Sequence, residues 1–234
     1  MPGLGLVNWI IWLVGTLLEG SVVVFALKAN SLRRYLFLNL YMALSFLVSV
    51  GRLEVLIRWG YTSLEYAYFY FYSDALLTLG LYFALLNLYS LVFDEMKVER
   101  YLRLAAVVLL GGTAWFSYAV INQSSHRLLS HFAFELSQNL YFVGLVLTYV
   151  LWGAILKLRE TRTRLIQLVL ALGIYFSAFA ADYALRNLYP NLQPVFQYVT
   201  SMLAWILPAA WAYAFLRVNE EARLAPSRLA AVSR

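Results

Sequence analysis

The chain has no cysteine among its 234 residues. That absence excludes disulfides, thiolate metal sites, CxxC redox chemistry and cysteine nucleophiles together. Charge is scarce as well: Asp, Glu, Lys and Arg make up 13% of the residues, against about 25% in a soluble domain. Histidine occurs twice, at positions 126 and 131. A three-histidine zinc site and bis-histidine haem ligation across two helices are therefore excluded. His126 and His131, five residues apart beside one loop, fall on different helix faces and read as interfacial histidines. No metal and no cofactor is expected.

Lysine is limited to Lys28, Lys97 and Lys157. All three stand at the ends of apolar runs, so a retinal-type Schiff base in the last span is excluded. The motifs HExxH and GxSxG, a P-loop and paired aspartate-rich segments are absent, and no nucleophile–base pair stands out. Asn122-Gln123-Ser124 fits a glycosylation sequon, a triplet common by chance. The net charge of +6 does not point to nucleic acid, because the basic residues sit in short joints between apolar runs.

What the sequence has in abundance is apolar surface: 63% hydrophobic residues and 17% aromatic. A soluble core cannot absorb that much, whereas lipid can. A span needs about 20 mostly apolar residues. Seven segments qualify: Leu4–Ala29, Tyr35–Trp59, Leu64–Phe93, Tyr101–Ile121, Leu129–Leu158, Leu165–Leu188 and Val195–Val218. The fold class is thus an all-α polytopic membrane protein with seven transmembrane helices. Residues 1–218 form one transmembrane domain, and 219–234 form a short basic tail. The first run is too long for a cleavable leader and has no basic residue before it, so it reads as the first span.

Fourteen of the 18 basic residues collect on one side of this arrangement. The other four, Arg52, Arg58, Arg127 and Arg186, fall on the opposite side. With loops this short, the basic side is cytoplasmic. The N-terminus is then outside and the C-terminus in the cytoplasm.

Polar groups at membrane depth are costly and tend to face a bundle interior or a cavity. Arg52, Asp74, Glu135, Gln138, Asn139, Asp182 and Gln197 come from five spans and all fall in the outer half. Glu19 lies deeper. The expectation is that these faces converge on a polar cavity open to the outside, with Asp74 and Asp182 as partners for Arg52. The inner half is mostly Leu, Val, Ala and Phe, which argues against a continuous polar pore. Interhelical hydrogen bonding is an alternative role for the same residues, and a proton path through Glu19, Asp74 and Glu135 is another. The run Tyr66–Tyr72 reads as an interfacial aromatic belt, or as the wall of a site for a flat ligand. Pro208 marks a kink in the last span.

Tyr70-Phe71-Tyr72-Ser73-Asp74-Ala75-Leu76, with Leu91-Val92-Phe93 closing the same span, resembles a pattern in small uncharacterised bacterial seven-helix membrane proteins. Ala181-Asp182-Tyr183-Ala184-Leu185-Arg186 is similar to a second part of that pattern. The resemblance implies an acidic residue at the position of Asp74, but no particular activity. The layout also resembles the seven-helix sensor regions of bacterial signalling proteins. Without an output domain here, that implies a separate partner.

The functional expectation is a non-enzymatic, receptor-like or accessory protein of the cell membrane, in a bacterial inner membrane. Its candidate site for a small polar external ligand comprises Arg52, Asp74, Glu135, Gln138, Asn139, Asp182, Gln197 and Glu19. A proton-coupled or small-solute transporter, or a structural subunit of a larger membrane complex, are the alternatives. The expected partners are the lipid bilayer, such a ligand and a membrane protein.

Overall fold

The computed structural model describes the backbone of residues 6–94, 99–121, 128–158, 160–189 and 193–218, and these are helices joined by short turns. The loop with Asn122–Ser125 and His126 and the tail from 219 lie outside the described residues, as do the side chains of Asn8, His131, Gln193 and Gln197. There are eight helices among the described residues: α1 (Leu6–Lys28), α2 (Leu36–Trp59), α3 (Leu64–Val92), α4 (Glu99–Ile121), α5 (Leu128–Leu158), α6 (Thr163–Leu188), α7 (Gln193–Leu203) and α8 (Ile206–Arg217).

The turns have local causes. After α1, Asn30 takes φ 51°, a left-handed conformation that asparagine tolerates better than most residues. Ser31 N–H then returns to the Ala26 carbonyl and Asn30 N–H to Leu27, closing the helix end. α2 stops at Gly60, whose φ of 84° suits a residue without Cβ. Three residues later the Ser63 hydroxyl accepts the Tyr66 N–H at 3.1 Å and caps α3.

Six stretches are long and apolar enough to cross a bilayer among the described residues: Trp9–Lys28, Leu36–Trp59, Leu64–Val92, Glu135–Leu158, Thr163–Arg186 and Val199–Arg217. They form a closed ring in which α1 packs on α2, α2 on α3, α3 on α5, α5 on α6, α6 on α8 and α8 back on α1. Contacts between α3 and α6 cross the middle. α4 sits outside the ring against α5 and α3.

The ring is filled by one large apolar cluster that includes Tyr35, Leu38, Leu85, Leu151, Leu168, Phe176 and Trp211. Its outer surface is apolar too, with Leu17, Leu47, Val146, Leu156 and Leu170 all exposed. A water-soluble monomer rarely carries apolar surface so widely, and lipid accepts it without cost while the helices satisfy their own backbone.

The last run departs from the expected single helix. The chain turns at Ala204 and Trp205, and α7 and α8 are separate. The cause lies four residues downstream of Ala204. Pro208 has no N–H to donate to the Ala204 carbonyl, and its ring collides with that carbonyl in a continuous helix. The interruption therefore falls before the proline, which sits in the first turn of α8, where it is tolerated.

The charged joint between α5 and α6 turns inward rather than out. At the end where α1 meets α2 and α5 meets α6, charged groups are buried. Arg162 donates to both oxygens of Glu160, at 2.9 and 2.7 Å, and to the Leu91 carbonyl at the end of α3 at 2.8 Å. Arg164 donates to Ser31 at 2.6 Å and to the Val218 carbonyl after α8. The turn that carries Thr161 thus ties down the ends of α3, α1 and α8. Burial pulls the Arg162 pKa down, but its bonds to Glu160 outweigh that and leave it above the ordinary arginine range.

Candidate functional site

Three polar groupings lie in the half of the bundle nearer the α2–α3 turn, and their placement follows helical spacing. On α1, Trp12, Thr16 and Glu19 share a face. On α2, Ser45, Ser49 and Arg52 do the same. These two faces meet. Glu19 accepts hydrogen bonds from Ser45 at 2.6 Å and Ser49 at 2.8 Å, while Trp12 donates to the Ser49 carbonyl at 3.1 Å.

One turn further along α2, Arg52 crosses to α3. Its Nε donates to Ser73 at 2.9 Å and its Nη2 to the Tyr70 carbonyl at 3.3 Å. The Tyr70 ring covers the guanidinium, with 4.3 Å from its carbon to the ring centroid. Asp74 is the ion-pair partner at 3.9 Å, beyond hydrogen-bond distance. The two side chains are 22% and 26% exposed, so the protein does not cover the pair completely. Nη1 of Arg52 engages no oxygen among the described residues.

Tyrosines from three other helices and its own share the electrostatic field of Asp74. Tyr41 of α2, Tyr70 of α3, Tyr141 of α5 and Tyr175 and Tyr183 of α6 all lie within electrostatic reach of its carboxylate. The Tyr141 ring packs 5.6 Å from Tyr183 and 6.2 Å from Tyr175, centroid to centroid. The hydroxyl of Tyr175 neighbours those of Tyr41 and Tyr141. Fully buried Ser137 of α5 stands close to the Asp74 carboxylate, and its hydroxyl forms no hydrogen bond among the described residues.

The third grouping belongs to α6 and α7. Asp182 pairs with Arg186, one turn on, at 2.9 Å. Thr200 donates to Asp182 Oδ2 at 2.8 Å, and Arg186 donates both to the Thr200 hydroxyl and to the Phe196 carbonyl. The expected pairing of Asp182 with Arg52 is thus corrected. An i,i+4 partner on the same helix needs no interhelical approach, and Arg186 occupies that position. Asp182 Oδ1 is buried and meets no donor among the described residues. Tyr183 connects this grouping with the Arg52–Asp74 pair, since it lies in the fields of both Asp74 and the Asp182–Arg186 pair.

Of the residues expected at the site, Arg52 and Asp74 come together and Glu19 sits one turn below them. Asp182 stands at the α6–α7 seam. Glu135, Gln138 and Asn139 are half-buried on α5. The α5 face turned to Asp74 is instead that of Ser137 and Tyr141, four residues apart. Successive helix residues rotate by about 100°, so Gln138 and Asn139 are carried away from it. The Gln197 side chain lies outside the described residues.

Sequence reasoning missed Ser137, Tyr41 and Tyr141 as site components, and met Tyr183 only within the resemblance. Tyr41 and Tyr141 carried no signal beyond being tyrosine in an apolar run. The Tyr66–Tyr72 run divides: Tyr68 and Tyr72 are exposed and stacked, 6.3 Å apart, as a belt predicts, whereas Tyr70 serves Arg52.

Two hollows lie away from this site. One of about 640 Å³ runs along the outside of α5 and α6, past Trp152, Gly173 and Ser177, and is apolar enough to take lipid. Another of about 480 Å³ lies at the basic end between Phe25, Lys28, Arg164 and Phe215. No known family model, curated protein or solved structure matches the chain.

Proposed function

We propose that this chain is a receptor-like or accessory protein of the cell membrane that binds a small polar ligand from outside and performs no catalysis. The observation that carries the reading is the Arg52–Asp74 pair. Two opposite charges from adjacent helices stand inside the ring, 3.9 Å apart and partly exposed, in a layer where unpaired charge is costly.

The reading includes seven spans, with α4 as the additional one outside the ring. In its favour, α4 presents Leu104, Val107, Val108 and Trp115 outward, as a lipid-facing helix does. The orientation, with the N-terminus outside, rests on the excess of Lys and Arg at the α1–α2 and α5–α6 turns. Placement in a bacterial inner membrane rests on the sequence resemblance.

The chain's lack of cysteine makes a direct test clean. A single Tyr70→Cys variant reports access to the Arg52 guanidinium. In intact cells, a membrane-impermeant thiol reagent is expected to label it before lysis. Labelling only after lysis, or none in detergent, overturns an outward-facing site.

A second reading, a transporter, has one specific observation behind it. The α7–α8 interruption adjoins the Asp182–Arg186–Thr200 grouping, and interrupted helices line binding sites in many carriers. Proteoliposomes that show substrate- or pH-driven uptake would favour it. No flux favours the receptor.

A further inference from the structure

We infer that the ligand of the Arg52–Asp74 site is a small zwitterion of amino-acid size, bound by its carboxylate to Arg52 and by its ammonium to Asp74 among the tyrosines. The inference rests on the reading above, that the site opens outward, and adds the chemical class of what enters it.

The first argument is that the charge pair is assembled but not closed. A guanidinium offers five N–H groups in a fixed fork. Here Nε is held by Ser73 and Nη2 by the Tyr70 carbonyl, and these two bonds fix the plane of the fork. Nη1 keeps its donors unspent among the described residues. The Asp74 carboxylate receives no hydrogen bond from Arg52, because 3.9 Å is too long. The Ser137 hydroxyl lies close to it without a hydrogen bond. Arg52 is therefore positioned by its own neighbours, and both charges retain capacity for a partner of opposite sign. A pair that served only to hold α2 against α3 gains most from a short, bidentate contact, which this geometry forgoes.

The second argument is the asymmetry of the surroundings. Around Arg52 the protein supplies a hydroxyl, a carbonyl and one ring face, that of Tyr70, with the Glu19 carboxylate, itself held by Ser45 and Ser49, within electrostatic reach. Those groups orient the cation and leave it to an incoming anion. Around Asp74, tyrosines of α2, α5 and α6 lie within electrostatic reach. Tyrosine faces attract a cation and hydroxyls accept its N–H groups, so the acidic end of the site suits an ammonium. A monovalent anion or cation alone leaves one of the two protein charges unmatched in a region of low dielectric. A zwitterion matches both, and the separation of the two charges limits it to a short carbon spacer.

The test uses the wild-type chain in lipid nanodiscs, with binding followed by calorimetry and thermal shift. The probes are glycine betaine and free L-proline. The controls are acetate and tetramethylammonium at matched ionic strength. At least one zwitterion is expected to bind ten-fold or more tightly than either control. Arg52→Gln and Asp74→Asn are each expected to weaken that binding at least ten-fold. Zwitterions that bind no better than acetate and tetramethylammonium overturn the inference, and this comparison needs no variant to fold. If Tyr70→Cys is labelled from outside while no zwitterion binds, the ligand class is wrong and the outward site stands. If that variant is never labelled, the outward site itself falls.

Discussion

Arg162 grips Glu160 through two hydrogen bonds, to Oε1 and Oε2, with both side chains almost entirely buried. Oε1 also accepts the backbone N–H groups of Thr161 and Arg162, each at 3.0 Å, so one carboxylate shapes the whole entry into α6. Removing one partner of a buried ion pair leaves the other charge uncompensated, at a cost of about 3–5 kcal/mol. Glu160→Ala is expected to lower the thermal unfolding midpoint sharply in detergent. The double variant with Arg162→Leu is expected to lose less than the sum of the two singles. Additive losses would show that the two residues act independently.

Thr200 joins α7 to α6 through Asp182 and Arg186. Thr200→Val keeps the shape and deletes the hydroxyl, leaving Asp182 with Arg186 alone. Loss of a partner for a buried acceptor costs about 1–3 kcal/mol, and Thr200→Ser is expected to recover most of it. Thermal unfolding of the three proteins decides the matter. A serine variant as weak as the valine variant would assign the effect to packing.

Gly144 lies where α5 meets α6, and a Cβ there would press into the ring of Phe176, which is 1% exposed and has no room to withdraw. Gly144→Ala is expected to destabilise the fold by about 1–3 kcal/mol through overpacking. At Gly153, nine residues on in the same helix, a Cβ would meet nothing within 4 Å. There alanine is expected to be neutral or slightly stabilising, because it loses less backbone entropy in a helix than glycine. Equal effects at the two positions would refute the close approach.

Orientation yields to the same single-cysteine approach as the site. Tyr61, at the α2–α3 turn, and Arg33, at the α1–α2 turn, are both exposed. Tyr61→Cys is expected to react with an impermeant reagent in intact cells, and Arg33→Cys only after permeabilisation. The reverse pattern would invert the topology.

Much of the architecture was legible residue by residue. The apolar runs and the polar joints locate helices and turns, because a bilayer imposes length and the backbone must satisfy itself within each span. Arg52 and Asp74 stood out because charge at membrane depth is rare. Ser137 and Tyr141 did not, because serine and tyrosine occur in spans for many reasons. The pairing of Asp182 was misassigned although its true partner, Arg186, was visible four residues away. Arg52 reads as the cation well inside the membrane, and that depth hid the neighbour one turn away. The Glu160–Arg162 turn read only as a charged joint, because composition does not reveal burial.

The sequence by itself determined how many residues each helix has to cross the bilayer and where the chain turns, since those follow from transfer free energy and local backbone chemistry. It also placed the interruption in the last run, within a few residues, at Pro208. Only the tertiary structure decided which helices adjoin, that α4 stands outside a ring of the others, and how each helix is rotated about its axis. Rotation is set by packing summed over all neighbours, as at Gly144 against Phe176. It alone determines that Ser137, and not Gln138, faces Asp74.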